Sequence, residues 1–494
     1  MGSPQTLGTR AHALHQLSSD PLDLLVVGGG IMGAGVLLEA SLRGLSGALV
    51  EQSDFAGGAS SRSTKLVHGG LRYLMQGRLD FVRESLEERA FLLANAPGLV
   101  APLSYVAPLR AVLEPASMVG QLLSAYDDLS PDPPGLPHHR RLTEEEVLAL
   151  LPFMRDAPGG GFEYHEGVTD DARLTIAVLK AAVAAGATPV NHVKLVGLRS
   201  SEGSVDVEVR DTIGGEIISL SPRAVVLAAG AWLGQLGGSG VPEAPIRPSK
   251  GTHVVLAQTS PPIRPAIVLS HPADARPLSV VPWKRHLLLG STDTECQDAD
   301  LGCPQPTGEE VTYLLDALRH ALPEIQPEVT AAWAGVRPLV EEEGAATAGV
   351  SREHRLVPVA PHVVAILGGK LTTFRRVAED AVDDAFGRHT RRHPYPVLTD
   401  DLHASELPEQ GEPLFPSLPY TRDHLRLVAE TEMVASLDDA LTQRLGISLV
   451  RPDEAGLRAE ECAETVGDVL GWSSEERARQ VAQFRAGLGR FRCP

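Results

Sequence analysis

The stretch Leu22-Asp-Leu-Leu-Val-Val27, continued by Gly28-Gly-Gly30-Ile-Met-Gly33, decides the fold. Its first six residues form a short, branched apolar run of the kind that lies in a buried parallel strand. Gly28, Gly30 and Gly33 then follow in G-x-G-x-x-G spacing, and Ala34 to Gly44 reads as helix. The first glycine permits a tight turn, the second lets a pyrophosphate approach the backbone, and the third lets helix and strand pack closely. The start of the helix offers unpaired N–H groups and a positive dipole end to the phosphates.

Ala48-Leu-Val50 reads as a second strand ending at Glu51, 21 residues beyond Gly30. A carboxylate there accepts the ribose hydroxyls of a dinucleotide. Three glycines alone would equally describe a ligand-free turn. Strand, glycines, helix, strand and acid in this order make a nucleotide-binding βαβ unit. The acid favours an unphosphorylated ribose, hence FAD or NAD over NADP.

The chain around this unit has 494 residues, enough for about three domains. It is 43% hydrophobic and 22% charged, the composition of an ordinary globular protein. Its 44 basic and 63 acidic residues give a net charge of −19, which argues against a nucleic-acid partner. Cys296, Cys303, Cys462 and Cys493 contain no C-x-x-C pair, so neither a metal site nor a redox dithiol is expected. No apolar run approaches the length of a membrane span. Residues 1–20 show no period and read as a disordered extension without a secretory core, so a cytoplasmic location is expected.

Ser60-Ser-Arg-Ser-Thr-Lys-Leu-Val-His-Gly-Gly-Leu-Arg-Tyr73 combines small hydroxylated residues with paired glycines, which suits backbone wrapped around a cofactor. Within it, Ser63-Thr-Lys-Leu-Val-His-Gly-Gly-Leu-Arg-Tyr-Leu74 closely resembles the signature of the FAD-dependent glycerol-3-phosphate dehydrogenases. Further blocks resemble that family in order: Gly161-Phe-Glu-Tyr164, Thr169-Asp-Asp-Ala-Arg-Leu174, Val225-Val-Leu-Ala-Ala-Gly-Ala-Trp232, Lys250-Gly-Thr-His-Val-Val255, Val281-Pro-Trp283, Gly290-Ser-Thr-Asp293, Trp333-Ala-Gly-Val-Arg-Pro-Leu339 and Gly368-Gly-Lys-Leu-Thr-Thr-Phe-Arg375. Met32 stands where many relatives carry asparagine.

The resemblance implies an α/β fold: an FAD-binding Rossmann-like domain of the glutathione-reductase or D-amino-acid-oxidase type, an inserted antiparallel-sheet substrate domain, and a C-terminal helical cap. Residues 21–100, 160–245 and 330–390 are assigned to the FAD domain, 101–159 and 246–329 to the substrate domain. A proline-rich linker over 391–419 then leads to helices over 420–494. Local patterns agree. Val205–Val209 alternates like a half-exposed strand, Gly214-Gly215 signals a hairpin to Ile217, and His253–Leu256 and His286–Leu289 read as short strands. Val434, Leu437, Leu441 and Leu445 fall on one helical face.

The implied activity is oxidation of sn-glycerol 3-phosphate to dihydroxyacetone phosphate by hydride transfer from C2 to the flavin. Electrons would then pass to a membrane quinone, with the enzyme peripheral on the inner face of the cell membrane, and a homodimer is an option. Implied FAD contacts are Gly28, Gly30, Ile31 and Gly33, then Glu51 and Gln52, then Ser61, Ser63, Thr64, Lys65, His68, Gly69 and Gly70. Val193, Ala229, Gly230, Trp232, Gly335, Gly369, Lys370, Leu371 and Thr372 complete that set.

A phosphate dianion needs cations, and hydrogen bonds to charged groups contribute about 1.5–3 kcal/mol each. Arg72 and Lys370 are expected to clamp it, with Arg337 nearer the reacting carbon and Tyr73 covering the substrate. The bland alternative is that these are surface cations and a packed ring. His68 and His253 compete as proton acceptors, against core histidines bonded to backbone, and Arg337 with water is a third route. Thr372 and Thr373 bond the flavin or cap the following helix. Glu144-Glu-Glu146 opens a helix, and Glu341-Glu-Glu343 is expected to be exposed. Leu122, Leu123 and Tyr126 form either a membrane-dipping surface or a buried helix.

Two rival activities share most of these motifs. An oxidase would pass electrons to oxygen, although oxidase relatives carry a long insertion between the Arg337 and Lys370 segments, where only 32 residues intervene here. An amino-acid or 2-hydroxy-acid dehydrogenase would also use an arginine. A non-catalytic flavin module would keep the glycines and lose the cations.

Overall fold

The computed structural model describes residues 6–112, 115–131, 135–241, 246–296, 301–340, 353–404 and 412–494. Leu24–Val27 is the centre of a six-stranded sheet ordered 355–360, 363–367, 224–227, 24–27, 47–50, 188–190. All neighbours are parallel except the first pair. The four residues of each central strand are buried on both faces, as a parallel sheet covered by helices requires. Helices Ile31–Leu42, Asp171–Ala184 and Phe374–Phe386 supply that cover, and a Cβ on Gly35 would come within 2.8 Å of the Phe374 ring.

A ten-stranded sheet forms the second body. Strand 246–257 is its hub, pairing antiparallel with 286–290, 294–295 and 329–340. Strand 100–108 pairs antiparallel with 161–169, and Leu66-Val67 extends that edge. The boundaries drawn from sequence are therefore corrected: 161–169 and 329–340 are substrate-sheet strands, held by backbone ladders to 100–108 and 246–257. The hairpin from Val209 to Ile217 sits in a separate three-stranded sheet with 193–200.

The N-terminal reading also changes. Residues 1–5 lie outside the described residues, but Arg10–Ser19 is a helix whose N-cap Thr9 accepts from His12 N–H. Ala13 and Leu17 are buried, and Arg10 pairs with Asp211 at 2.5 Å. Two buried side chains in ten residues were too sparse a pattern to read.

The C-terminal helices pack into one core with the substrate sheet, where Leu425, Leu437 and Leu441 join Tyr105, Trp283 and Trp333. Val434, Leu437, Leu441 and Leu445 are all buried, but only the stretch around Asp439–Arg444 is helical, as a π-helical turn. Of the linker, Asp401–Ala404 is a short helix, while 405–411 and Glu341–Glu343 lie outside the described residues. Leu123 and Tyr126 are buried, which selects the buried-helix alternative for that segment. Among the described residues, no helix is long and apolar enough to cross a membrane.

Candidate active site

A cavity of about 300 Å³ runs between the two bodies. At one end the glycine loop forms its floor. Gly28 adopts φ 116°, and a Cβ there would lie 2.4 Å from the Ala228 carbonyl oxygen. Gly33 does not face the cavity. A Cβ on it would lie 1.9 Å from the Gly28 oxygen, so its role is to let the helix close on the turn. Glu51 accepts from the Gly29 N–H at 2.6 Å and the Ser53 N–H at 2.9 Å. Val193 N–H donates to the Glu51 carbonyl at 2.7 Å, which brings Val193 to the same wall. Gln52, Ala229, Gly230 and Trp232 line it as well.

Further along, Ser60 Oγ accepts from the Ile31 N–H at 2.9 Å. Ser63, Thr64, His68, Gly335, Gly369, Lys370 and Leu371 line the cavity. Met32 packs on the Gly368-Gly369 turn, its Cε 2.7 Å from where a Gly369 Cβ would sit.

Several expected residues support the wall from behind. Lys65 is fully buried and pairs with Asp171 at 2.6 Å, between Trp283 and Trp333 at 4.6 and 5.3 Å. Burial lowers the pKa of this lysine, and Asp171 opposes that shift. Asp171 also accepts from the Ser63 N–H and hydroxyl. The lysine side chain therefore forms a buried anchor for the loop and does not line the cavity. Ser61 is buried beside it, and its carbonyl accepts from Lys65. Thr372 is buried with its hydroxyl bonded to the backbone N–H and C=O of His68. Gly69 and Gly70 are likewise one layer back, and Tyr73 is buried edge-on to Phe81 at 5.1 Å.

Of the three expected cations, Arg337 and Lys370 face the cavity. Arg337 donates to Ser291 Oγ at 2.6 Å, the Thr292 carbonyl at 3.1 Å and Ser249 Oγ at 3.4 Å, with Asp293 at 3.9 Å. Lys370 donates to the His68 carbonyl and is nearly buried beside the Tyr73 and Phe81 rings. Arg72 does not reach the lining. It lies half-buried on the Leu71–Met75 helix, which starts at Gly70 beside Lys370.

His253 stacks on Trp333 at 4.5 Å, and its Nε2 is 3.0 Å from Thr64 Oγ1. Burial, then the charges of Arg337 and Lys65, hold its pKa well below the ordinary range. It is therefore neutral at physiological pH and can accept a proton.

Arg62 was not among the expected contacts, yet it lines the cavity. It is wedged against Gly335, whose Cβ would lie 2.5 Å from its own. Burial, then Arg490, pushes its guanidinium down to about 10 while Asp438 and Asp171 oppose the shift, so it stays charged. The signal available was its place inside the hydroxyl-rich Ser60–Ser63 run. Ser291, also given no role from sequence, lies inside the quoted Gly290-Ser-Thr-Asp293 block.

The glycine cradle, ribose-side carboxylate and buried cation fit a dinucleotide that carries a pyrophosphate. The fold and cavity define a dinucleotide-binding protein with a second, substrate-sheet body. Residues 23–375 match the family described as FAD dependent oxidoreductase, and 389–477 match the C-terminal domain of alpha-glycerophosphate oxidase. A glycerol-3-phosphate dehydrogenase of Mycobacterium leprae is 32% identical over 97% of this chain and 90% of its own length. An aerobic glycerol-3-phosphate dehydrogenase of Staphylococcus haemolyticus is 37% identical over 74% of this chain and 67% of that protein. The FAD complex of the glycerol-3-phosphate dehydrogenase from Bacillus halodurans superposes with a TM-score of 0.75 over 98% of both chains, at 26% identity. This chain belongs to the FAD-dependent glycerol-3-phosphate dehydrogenase family, and its cofactor is FAD.

Proposed function

We propose that the chain oxidises sn-glycerol 3-phosphate at its central hydroxyl to dihydroxyacetone phosphate and passes the electrons to a membrane quinone. The carrying observation is that Arg337, Lys370 and neutral His253 all line the cofactor cavity. Bound FAD supplies a two-electron acceptor for the C2 hydride. Lys370, supported by Arg72 on the adjoining helix, attracts the phosphate. Arg337 is oriented by Ser291, Thr292 and Ser249, so its guanidinium plane is fixed before substrate arrives. Its charge lowers the proton affinity of the hydroxyl, and His253 takes the proton. Closure of the substrate sheet over the cofactor domain excludes water.

Transfer of the electrons to oxygen, giving hydrogen peroxide, is the second reading, because the C-terminal region matches the domain described for alpha-glycerophosphate oxidase. For a quinone acceptor, Met75, Leu79 and Met118 are the exposed apolar side chains on touching helices that would meet the membrane.

Anaerobic flavin bleaching tests the substrate. Glycerol 3-phosphate should reduce the FAD, while glycerol and 2-hydroxy acids should not, and Arg337→Ala and Lys370→Ala should each slow reduction at least about tenfold. Unchanged reduction in both variants removes the site assignment. Stoichiometric hydrogen peroxide during aerobic turnover would select the oxidase.

A further inference from the structure

Two consecutive backbone N–H groups precede the Leu71–Met75 helix, and both are met by buried side chains. Gly69 donates to Glu166 Oε2 at 3.4 Å, and Gly70 donates to the Tyr126 hydroxyl at 3.1 Å. Tyr126 donates onward to Glu166 Oε1 at 2.5 Å, and Arg89 donates to Glu166 Oε2 at 2.6 Å. These three side chains come from helix 116–128, strand 161–169 and helix 79–95. None was singled out by the motifs above for a part in the reaction.

There is no slack in this contact. A Cβ on Gly69 would lie 2.4 Å from the Tyr126 oxygen. Gly70 has φ 93°, and a Cβ on it would lie 2.6 Å from the Tyr73 ring and 3.5 Å from Lys370 Nζ. The diglycine is thus the point at which Lys370, Tyr73 and the helix carrying Arg72 meet.

We propose that Glu166, acting through Tyr126, is a positioning residue for the phosphate-binding cations: it fixes the Gly69-Gly70 backbone and so the placement of Lys370 and Arg72. The inference rests on the reading that these cations take the substrate's phosphate. Burial, followed by the charge of Glu166, pushes the Tyr126 hydroxyl well above its ordinary pKa. The hydroxyl therefore stays protonated, donating to Glu166 and accepting from Gly70. Removing it leaves a buried N–H unpaired beside a residue with little intrinsic backbone preference. Weakening a phosphate contact made equally to the bound substrate and the transition state raises KM and leaves kcat.

The test uses the full-length, FAD-loaded protein and its Tyr126→Phe and Glu166→Gln variants. Both should raise the KM for glycerol 3-phosphate and the Ki for inorganic phosphate in parallel, by about three- to tenfold, while kcat and FAD content change less than about twofold. An unchanged KM and phosphate Ki would overturn the inference, as would loss of FAD without any change in those constants. Tyr126→Phe keeps the buried ring and decides alone if Glu166→Gln does not fold. A wild-type protein indifferent to both glycerol 3-phosphate and phosphate overturns the substrate reading itself. A responsive wild type whose variants keep its KM and phosphate Ki overturns only this inference.

Discussion

The guanidinium of Arg62 lies 5.0 Å over the ring of Phe491, three residues before Pro494. Arg490 stacks on the same ring at 4.7 Å. Through this pair the C-terminal helices form part of the wall behind the cofactor cavity, where Arg62 is the shared residue. A region read from sequence as a packing module thereby reaches the cofactor loop.

Phe491→Leu should therefore loosen FAD more than it destabilises the fold. The substitution keeps apolar volume but removes cation–π contacts of about 0.5–2 kcal/mol. Fluorescence of released flavin on dilution should show FAD binding weakened several-fold, with a small change in the urea midpoint. Unaltered flavin retention would separate the C-terminal domain from the cofactor.

The Lys65–Asp171 pair is buried on both sides. Replacing Lys65 with Met leaves a buried carboxylate without its cation, a loss of about 3–5 kcal/mol. Adding Asp171→Asn should recover part of that loss. Denaturant unfolding of the single and double variants measures the coupling, and additive effects would contradict it.

Stability should carry a histidine signature from His192, which bonds Asp439 across the interface with the C-terminal domain at 3.0 Å. Burial alone would lower its pKa, but Asp439 and then Asp54 outweigh burial and the opposing charge of Arg10, leaving it raised above 6.5. A raised folded pKa means that protonation favours the native state. The contribution is complete below pH about 6.5 and disappears as pH rises through the folded value. Asp54 is meanwhile engaged by Arg444 and Asn191, so ion pairs and hydrogen bonds account for this Asp54–His192–Asp439 cluster. In His192→Gln, unfolding followed between pH 6 and 9 should lose this slope.

The depressed pKa of His253 makes a kinetic prediction. A base with a lowered pKa stays neutral further into acid, so kcat/KM should not fall through pH 6.5 as it would for an ordinary histidine. His253→Gln should lower kcat by about 10²–10⁴-fold if this residue takes the proton. A wild-type acid limb centred near 6.5 would exclude His253 as the proton acceptor.

Gly33→Ala should give colourless protein, because the new Cβ would lie 1.9 Å from the Gly28 oxygen and spread the turn that receives the pyrophosphate. Absorbance at the flavin bands of the purified variant is the measurement.

Local spacing alone determined the nucleotide half of this protein. Turn, helix start and ribose acid lie within thirty residues, and each demands a residue type that sequence displays directly: glycine where Gly28 takes φ 116°, a carboxylate at Glu51. Arg337, Lys370 and His253 were also legible, each set in a distinctive block.

Which residues face the cavity and which stand behind it was decided only by tertiary packing. Lys65 and Thr64 are neighbours, yet one pairs with Asp171 in the core and the other meets His253. Arg62 was exposed as a wall residue by Gly335 and Phe491, both remote in the chain. The Tyr126–Glu166 support of the diglycine likewise joins separate elements. Short-range conformational demands are written into residue type, whereas burial and charge compensation depend on what distant segments bring to the same point.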